Sequence, residues 1–115
     1  MLHKGSCHCG KVAFEVESDL EQVMACNCSH CSRKGYLLNF VPRGALTVLR
    51  GEEELTTYRF NTHTISHRFC STCGCAPFAE GKKPTGEVTA AINVRCLETV
   101  DLAGLEPVPV DGRSF

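Results

Sequence analysis

Three groups of cysteines carry the side chains in this sequence that are able to do chemistry: Cys7-His8-Cys9-Gly10, Cys26-Asn27-Cys28-Ser29-His30-Cys31 and Cys70-Ser71-Thr72-Cys73-Gly74. Short-spaced thiolates on turns suit zinc better than an iron–sulfur cluster. Cys70 and Cys73, at i and i+3, point two sulfurs into one concavity, and Gly74 allows the tight backbone turn behind them. Cys7 and Cys9 form a second half-site. Together the two pairs complete a four-thiolate tetrahedron, a closed arrangement of the kind that pins a small β domain. Unliganded buried thiols or a disulfide are the bland readings of the same pairs.

The central triplet Cys26, Cys28 and Cys31 offers three thiolates to a second ion and cannot close a tetrahedron alone. With water or substrate in the fourth position, such a zinc site would bind an incoming thiol as thiolate, which suits making or breaking a carbon–sulfur bond. Alternatively the protein supplies the fourth ligand, with Cys75, Cys96, His30 and His67 as candidates, and the site is then closed. Cys75 would project to the same side as the Cys70–Cys73 knuckle on an extended continuation, so it reads equally as a spare thiol. His30, between triplet cysteines, reads as a surface group or as an outer partner of a ligand.

The elements that must position these thiols are short. Lys11-Val12-Ala13-Phe14-Glu15-Val16-Glu17 alternates apolar and charged residues with the period of a half-buried strand. Val23-Met24-Ala25 is a short apolar approach to the triplet. Residues 29–34 fit one helical turn closed by Gly35 in the left-handed conformation. Strands are expected at residues 36–41, 46–49, 56–60, 65–69 and 87–94, separated by Pro- and Gly-rich turns. Asn61-Thr62-His63-Thr64 suits a hairpin connection, and the strand after it delivers Cys70. Glu52-Glu53-Glu54 reads as a solvated bend without chemistry, Pro77 favours a sheet-edge position, and residues 102–115 read as extended segments and turns. The expectation is an all-β domain of small sheets spanning residues 1–115 without a linker.

Composition limits the function classes. Nine cysteines, an odd number, accompany a start without a signal-peptide core, so a reducing cytoplasmic location and metal binding are expected rather than a secreted disulfide scaffold. A net charge of −1 with scattered Lys and Arg lacks the footprint of a nucleic-acid binder. No apolar run is long enough to span a bilayer as a helix. The core has no Trp and six Phe, so cross-linking by metal would assist it.

The three cysteine groups in this order, with Gly5-Ser6 before the first, Lys11-Val12 after it, His67-Arg68-Phe69 before the third and Ala91-Ile92-Asn93-Val94 near the end, resemble the family of glutathione-dependent formaldehyde-activating enzymes, which also includes centromere protein V. The resemblance runs nearly end to end. It implies a fold of several coiled antiparallel β-sheets, like that of a small zinc-binding guanine-nucleotide-exchange chaperone. It also implies two zinc ions: a structural one on Cys7, Cys9, Cys70 and Cys73, and a catalytic one on Cys26, Cys28 and Cys31. The implied activity is that of a carbon–sulfur lyase joining glutathione and formaldehyde into S-hydroxymethylglutathione, with His30 and His67 as candidates for moving the hydroxyl proton. Cys75 and Cys96 depart from the family pattern. A non-catalytic zinc module that binds a protein partner is the alternative, because fold alone assigns no chemistry.

Overall fold

The computed structural model describes residues 1–60, 62–98 and 100–114; Asn61 and Phe115, which fall in expected connections, lie outside the described residues. The alternation at residues 11–17 builds β2 (Ala13–Glu17), with Phe14 and Val16 wholly buried. β2 pairs antiparallel with β1 (Leu2–Ser6) on one edge and with β5 (Leu46–Arg50) on the other, forming a three-stranded sheet.

The remaining strands are β3 (Met24–Cys26), β4 (Leu38–Pro42), β6 (Leu55–Tyr58), β7 (Ile65–Cys70), β8 (Phe78–Lys82), β9 (Val88–Asn93) and β10 (Val108–Val110). They join in one seven-stranded sheet of order β10-β3-β4-β9-β8-β7-β6. The all-β expectation holds, although the second sheet is larger than short strands with frequent turns suggested. Its ladders are antiparallel except that β10 runs parallel to β3. A parallel pair needs a long crossover, and the chain from residue 27 to residue 107 supplies it.

The two sheets bury a common core. Phe14, Val16 and Leu46 of the small sheet meet Val41, Phe78, Ala90 and Ile92 of the large one. The Phe14 and Phe78 rings cross edge to face at 6.0 Å and 71°, a geometry worth about 0.5–1.5 kcal/mol beyond area burial. At the margin of this face Glu80 accepts from Arg43 Nε at 2.8 Å and from Arg68 Nη1 at 2.7 Å, which ties β8 to β7 and to the turn after β4. Burial pushes the Glu80 carboxyl up, but the two guanidinium groups outweigh it and hold it below the usual range.

Pro77 corrects the edge expectation: it stands just before β8, a central strand, with its side chain fully buried. Its missing N–H is not needed there, because the residue lies outside the ladder and contributes its carbonyl to Asn93 N at 2.9 Å. Residues 52–54 form a 3-10 turn in which Glu52 and Glu53 are exposed and Glu54 is partly buried.

The opposite face of the large sheet is not packed on the small one. Strand register sets Phe40, Ala91, Ala79, His67 and Tyr58 side by side across β4, β9, β8, β7 and β6. Two alanines between larger residues leave a hollow in the middle of that row. The helix α1 (Ser29–Lys34) lies at the end of β3 with Cys31 buried against Tyr36, Leu38 and Ala91, so the hollow has the triplet on one side.

Candidate functional site

Four thiols meet where the turn after β1 approaches the turn after β7. The sulfurs of Cys7, Cys9, Cys70 and Cys73 all lie within 4.8 Å of one another, with Cys7–Cys9 at 3.6 Å and Cys9–Cys70 at 3.7 Å. A tetrahedral zinc with sulfur at about 2.3 Å has an S···S edge of about 3.8 Å, so the spacing fits that ion. Backbone amides already point at the sulfurs: Val12 N to Cys7 Sγ at 3.4 Å and Thr72 N to Cys70 Sγ at 3.4 Å. Gly74, at φ 80°, closes the knuckle by donating to the Cys70 carbonyl at 2.9 Å. Burial pushes the Cys73 thiol up, but the backbone N–H groups of Cys9 and Cys75 and the thiols of Cys7 and Cys70 outweigh it and bring it to about 6. Cys70 is also lowered, chiefly by the Cys73 backbone N–H, whereas at Cys9 the Lys11 backbone N–H is outweighed by burial and the neighbouring thiols, which raise it to about 11.

The triplet is held by local turn geometry. Cys26 ends β3, Cys28 is the N-cap of α1, and Cys31 is buried one turn into the helix. Cys28 Sγ accepts from Cys31 N at 3.3 Å, the role an N-cap oxygen ordinarily plays, and Cys26 Sγ accepts from Cys28 N at 3.5 Å. Gly35 at φ 71° closes the helix by donating to Cys31 O, as expected from the sequence. Burial pushes the Cys28 thiol up, but the Cys31 backbone N–H and the neighbouring thiols reverse this and leave it lowered, while burial pushes Cys31 up.

The three sulfurs lie within 4.8 Å of one another, and no fourth Cys, His, Asp or Glu among the described residues brings a ligand atom that close to all three. Cys75 packs with Cys7, Val12 and Cys70 in the other group. Cys96 joins the main core, its thiol 3.9 Å from the Ala76 carbonyl, and burial raises it to about 12. Neither reaches the triplet.

In front of the triplet a cavity of about 390 Å³ runs over the sheet, with Cys26, Cys28, Cys31 and His67 among its lining residues. His67 and His30 face each other at 4.3 Å between ring centroids, and His30 also stacks near Tyr58 and Phe60. The Nδ1 atoms of both histidines are buried without a hydrogen-bond partner. Burial first, then His30 and Lys34, lower His67 from 6.5 to about 4, so it is neutral at neutral pH.

A lowered histidine favours the folded state only while neutral. The unfolded chain takes up its proton near 6.5 and the folded chain near 4, so this stability is present above 6.5 and drains as pH falls through that window. His67→Gln is expected to flatten the fall in unfolding midpoint between pH 6.5 and 4 relative to the wild type. Parallel slopes in urea titrations at several pH values would contradict it.

The C-terminal segment, which reads from sequence as extended segments and turns, touches the site directly. Asn27, between two triplet cysteines, donates from its side chain to Asp111 Oδ1 at 3.0 Å and accepts from Arg113 N at 2.9 Å. Asn27 N also donates to Val110 O at 3.0 Å. Gly112 sits so close to the triplet that a Cβ there would overlap the Cys26 sulfur. An Asp-Gly pair reads as a turn from sequence, and only its long-range docking gives it this role.

Fold and site define a small β protein with two thiol groups, each able by composition and spacing to hold a metal ion. The sequence profile of the family described as glutathione-dependent formaldehyde-activating enzyme matches residues 2–108, and the chain belongs to that family. A curated Halomonas elongata protein, provisionally named as a glutathione-dependent formaldehyde-activating enzyme, is 33% identical over 85 residues, which take in 66% of this chain and 54% of that protein. The chain thus spans about half the length of the curated relative it matches. A crystal structure of a Rhodobacter sphaeroides protein superposes with a TM-score of 0.81 at 38% identity, covering 92% of this chain and 97% of that one. Among the described residues no helix is long and apolar enough to cross a membrane.

Proposed function

We propose that this chain, as one domain, is a zinc-dependent carbon–sulfur lyase acting on a thiol–aldehyde adduct, working in a reducing, cytoplasmic compartment that keeps its nine cysteines out of disulfides. The observation that carries the reading is the triplet without a fourth protein ligand among the described residues, facing a cavity large enough for a small molecule. Cys7, Cys9, Cys70 and Cys73 are assigned the structural zinc, and Cys26, Cys28 and Cys31 the catalytic one.

Zinc held by Cys26, Cys28 and Cys31 would supply Lewis acidity that favours the thiolate form of an incoming thiol. The chain's own residues do the rest. Cys26, Cys28 and Cys31 fix where the sulfur sits, and the cavity walls hold the aldehyde carbon against it. In the forming direction the sulfur–carbon bond is made as the carbonyl π pair moves to oxygen, which takes up the proton the thiol released. Neutral His67, whose Nδ1 is buried, has its other ring nitrogen for that proton or for a hydrogen bond to the hydroxyl.

Glutathione and formaldehyde, named in the family's description, are the first pair to test. Exchange spectroscopy of aldehyde with thiol is expected to show faster exchange on adding protein that carries two zinc ions. One of those ions should leave readily and be retained when thiol is added. An unchanged exchange rate with glutathione and with simple thiols alike, or two equally inert ions, would remove the lyase reading.

A further inference from the structure

Two of the triplet thiols are placed by the helix they belong to: Cys28 caps α1 and Cys31 is buried within it. Cys26 is held differently. It ends β3, outside the helix, and its neighbour in the sheet is the C-terminal strand, with Val110 of β10 opposite Cys26. That ladder is weak, being three residues of parallel pairing in which Pro109 has no N–H to give.

What extends the ladder is a single residue between two triplet cysteines. Asn27 donates from its backbone N–H to Val110 O and from its side chain to Asp111 Oδ1, and its side-chain oxygen accepts from Arg113 N. Ser114 Oγ donates to the other Asp111 oxygen, Oδ2, at 2.6 Å, so both ends of that carboxylate are fixed. Residues 110, 111 and 113 are thus all fastened to Asn27, and Gly112 is carried between them.

The backbone at Gly112 does not call for glycine. The glycines at positive φ are Gly10, Gly35, Gly51, Gly74 and Gly86, and Gly112 is not among them. Space calls for it instead: a Cβ there would overlap Cys26 Sγ and stand 3.2 Å from Cys28 Cβ. Gly5 and Gly51 are as crowded, but against the Phe14 ring and the Lys11 carbonyl, which belong to the packing of the small sheet. At Gly112 the atom met first is a thiol of the triplet. Val110 and Gly112 also line the cavity, so bare backbone walls it beside the sulfur without filling it.

We propose that residues 110–114 form a clasp on the triplet, with Asn27 and Gly112 as positioning residues that set where the Cys26 sulfur stands relative to Cys28 and Cys31. The inference rests on the reading of the triplet as a metal site. Groups standing directly behind metal ligands change affinity by about 10–100-fold when altered, through the orientation of the ligand rather than contact with the ion.

The test follows release of zinc from the two-zinc protein to a chromogenic chelator, with thermal unfolding measured alongside. The wild type is expected to release zinc in two steps, and Cys28→Ser to lack the faster one, which assigns that step to the triplet. Gly112→Ala is expected to speed the faster step at least about tenfold while the slower step and the unfolding midpoint stay put. Gly104→Ala, where a Cβ meets only the Asp101 carboxylate at 3.6 Å, is expected to change neither step. Asn27→Asp removes the donor and sets a carboxylate against Asp111, so it should behave as Gly112→Ala does. Adding Asp111→Asn to it restores the pair with its ends exchanged and should bring back the wild-type rate. An unchanged faster step in Gly112→Ala would overturn the clasp, as would acceleration of both steps with a lowered unfolding midpoint. A wild type that holds one ion would remove the metal reading of the triplet and the clasp with it, an outcome distinct from two ions whose release ignores residues 27 and 112.

Discussion

Cys73→Ser is expected to yield a chain that does not fold cooperatively, with near-ultraviolet circular dichroism lost and zinc content reduced. The four-thiol group joins the turn at residues 7–10 to the knuckle at residues 70–74, linking the first strand of the small sheet to the strand next to one edge of the large one. Structural zinc in small domains contributes about 10–16 kcal/mol of apparent binding free energy. Net stabilities of whole domains are about 5–15 kcal/mol. Losing one of four ligands therefore removes a contribution comparable to the total. Serine keeps the shape of the knuckle but offers no soft anionic ligand, so the effect is chemical rather than one of packing. A folded Cys73→Ser protein that keeps all its zinc would refute the structural assignment.

Cys28→Ser is expected to do the opposite: to preserve the fold while removing the second ion and the carbon–sulfur activity. Cys28 accepts from Cys31 N as the cap of α1, and serine is among the best N-cap residues, so the helix start survives the exchange. The four-thiol group lies elsewhere and keeps its ion. At the triplet only two thiolates remain, and affinity should fall by more than the roughly 10–100-fold that follows loss of an outer partner of a ligand. Matched thermal unfolding with half the zinc and no aldehyde–thiol exchange is the expected result. Unchanged exchange activity would place the chemistry outside the triplet. Comparing Cys73→Ser with Cys28→Ser separates support of the fold from chemistry more sharply than either variant alone.

The thiol groups were legible in the sequence because ligation constrains spacing locally: a knuckle such as Cys70 to Cys73 is complete within a few residues. The same holds for the helix at residues 29–34, since its cap residue Gly35 stands next to it. Strand β2 was legible through its alternation. The cavity was not. Its floor depends on Ala79, Ala91 and Gly81 being neighbours across β8 and β9, and small residues acquire that meaning only once register is known. Pro77 misled for a related reason, because the sequence shows a residue that cannot donate in a ladder but not whether it lies inside one. The roles of Cys75 and Cys96 were likewise undecidable locally, as their distance from the triplet is set by which turns the sheets bring together.

The docking of β10 beside β3 also orders events during synthesis. The four-thiol group has all its members once residue 73 has emerged, whereas Gly112 reaches the Cys26 sulfur only about forty residues later, roughly 2–8 s at ribosomal rates of 5–20 residues per second. Throughout that interval the nascent chain carries every member of the four-thiol group while its triplet is still uncovered. The triplet therefore passes that interval without the cover of its C-terminal segment, and metal bound early would shield its thiols from electrophiles and oxidants before that segment docks.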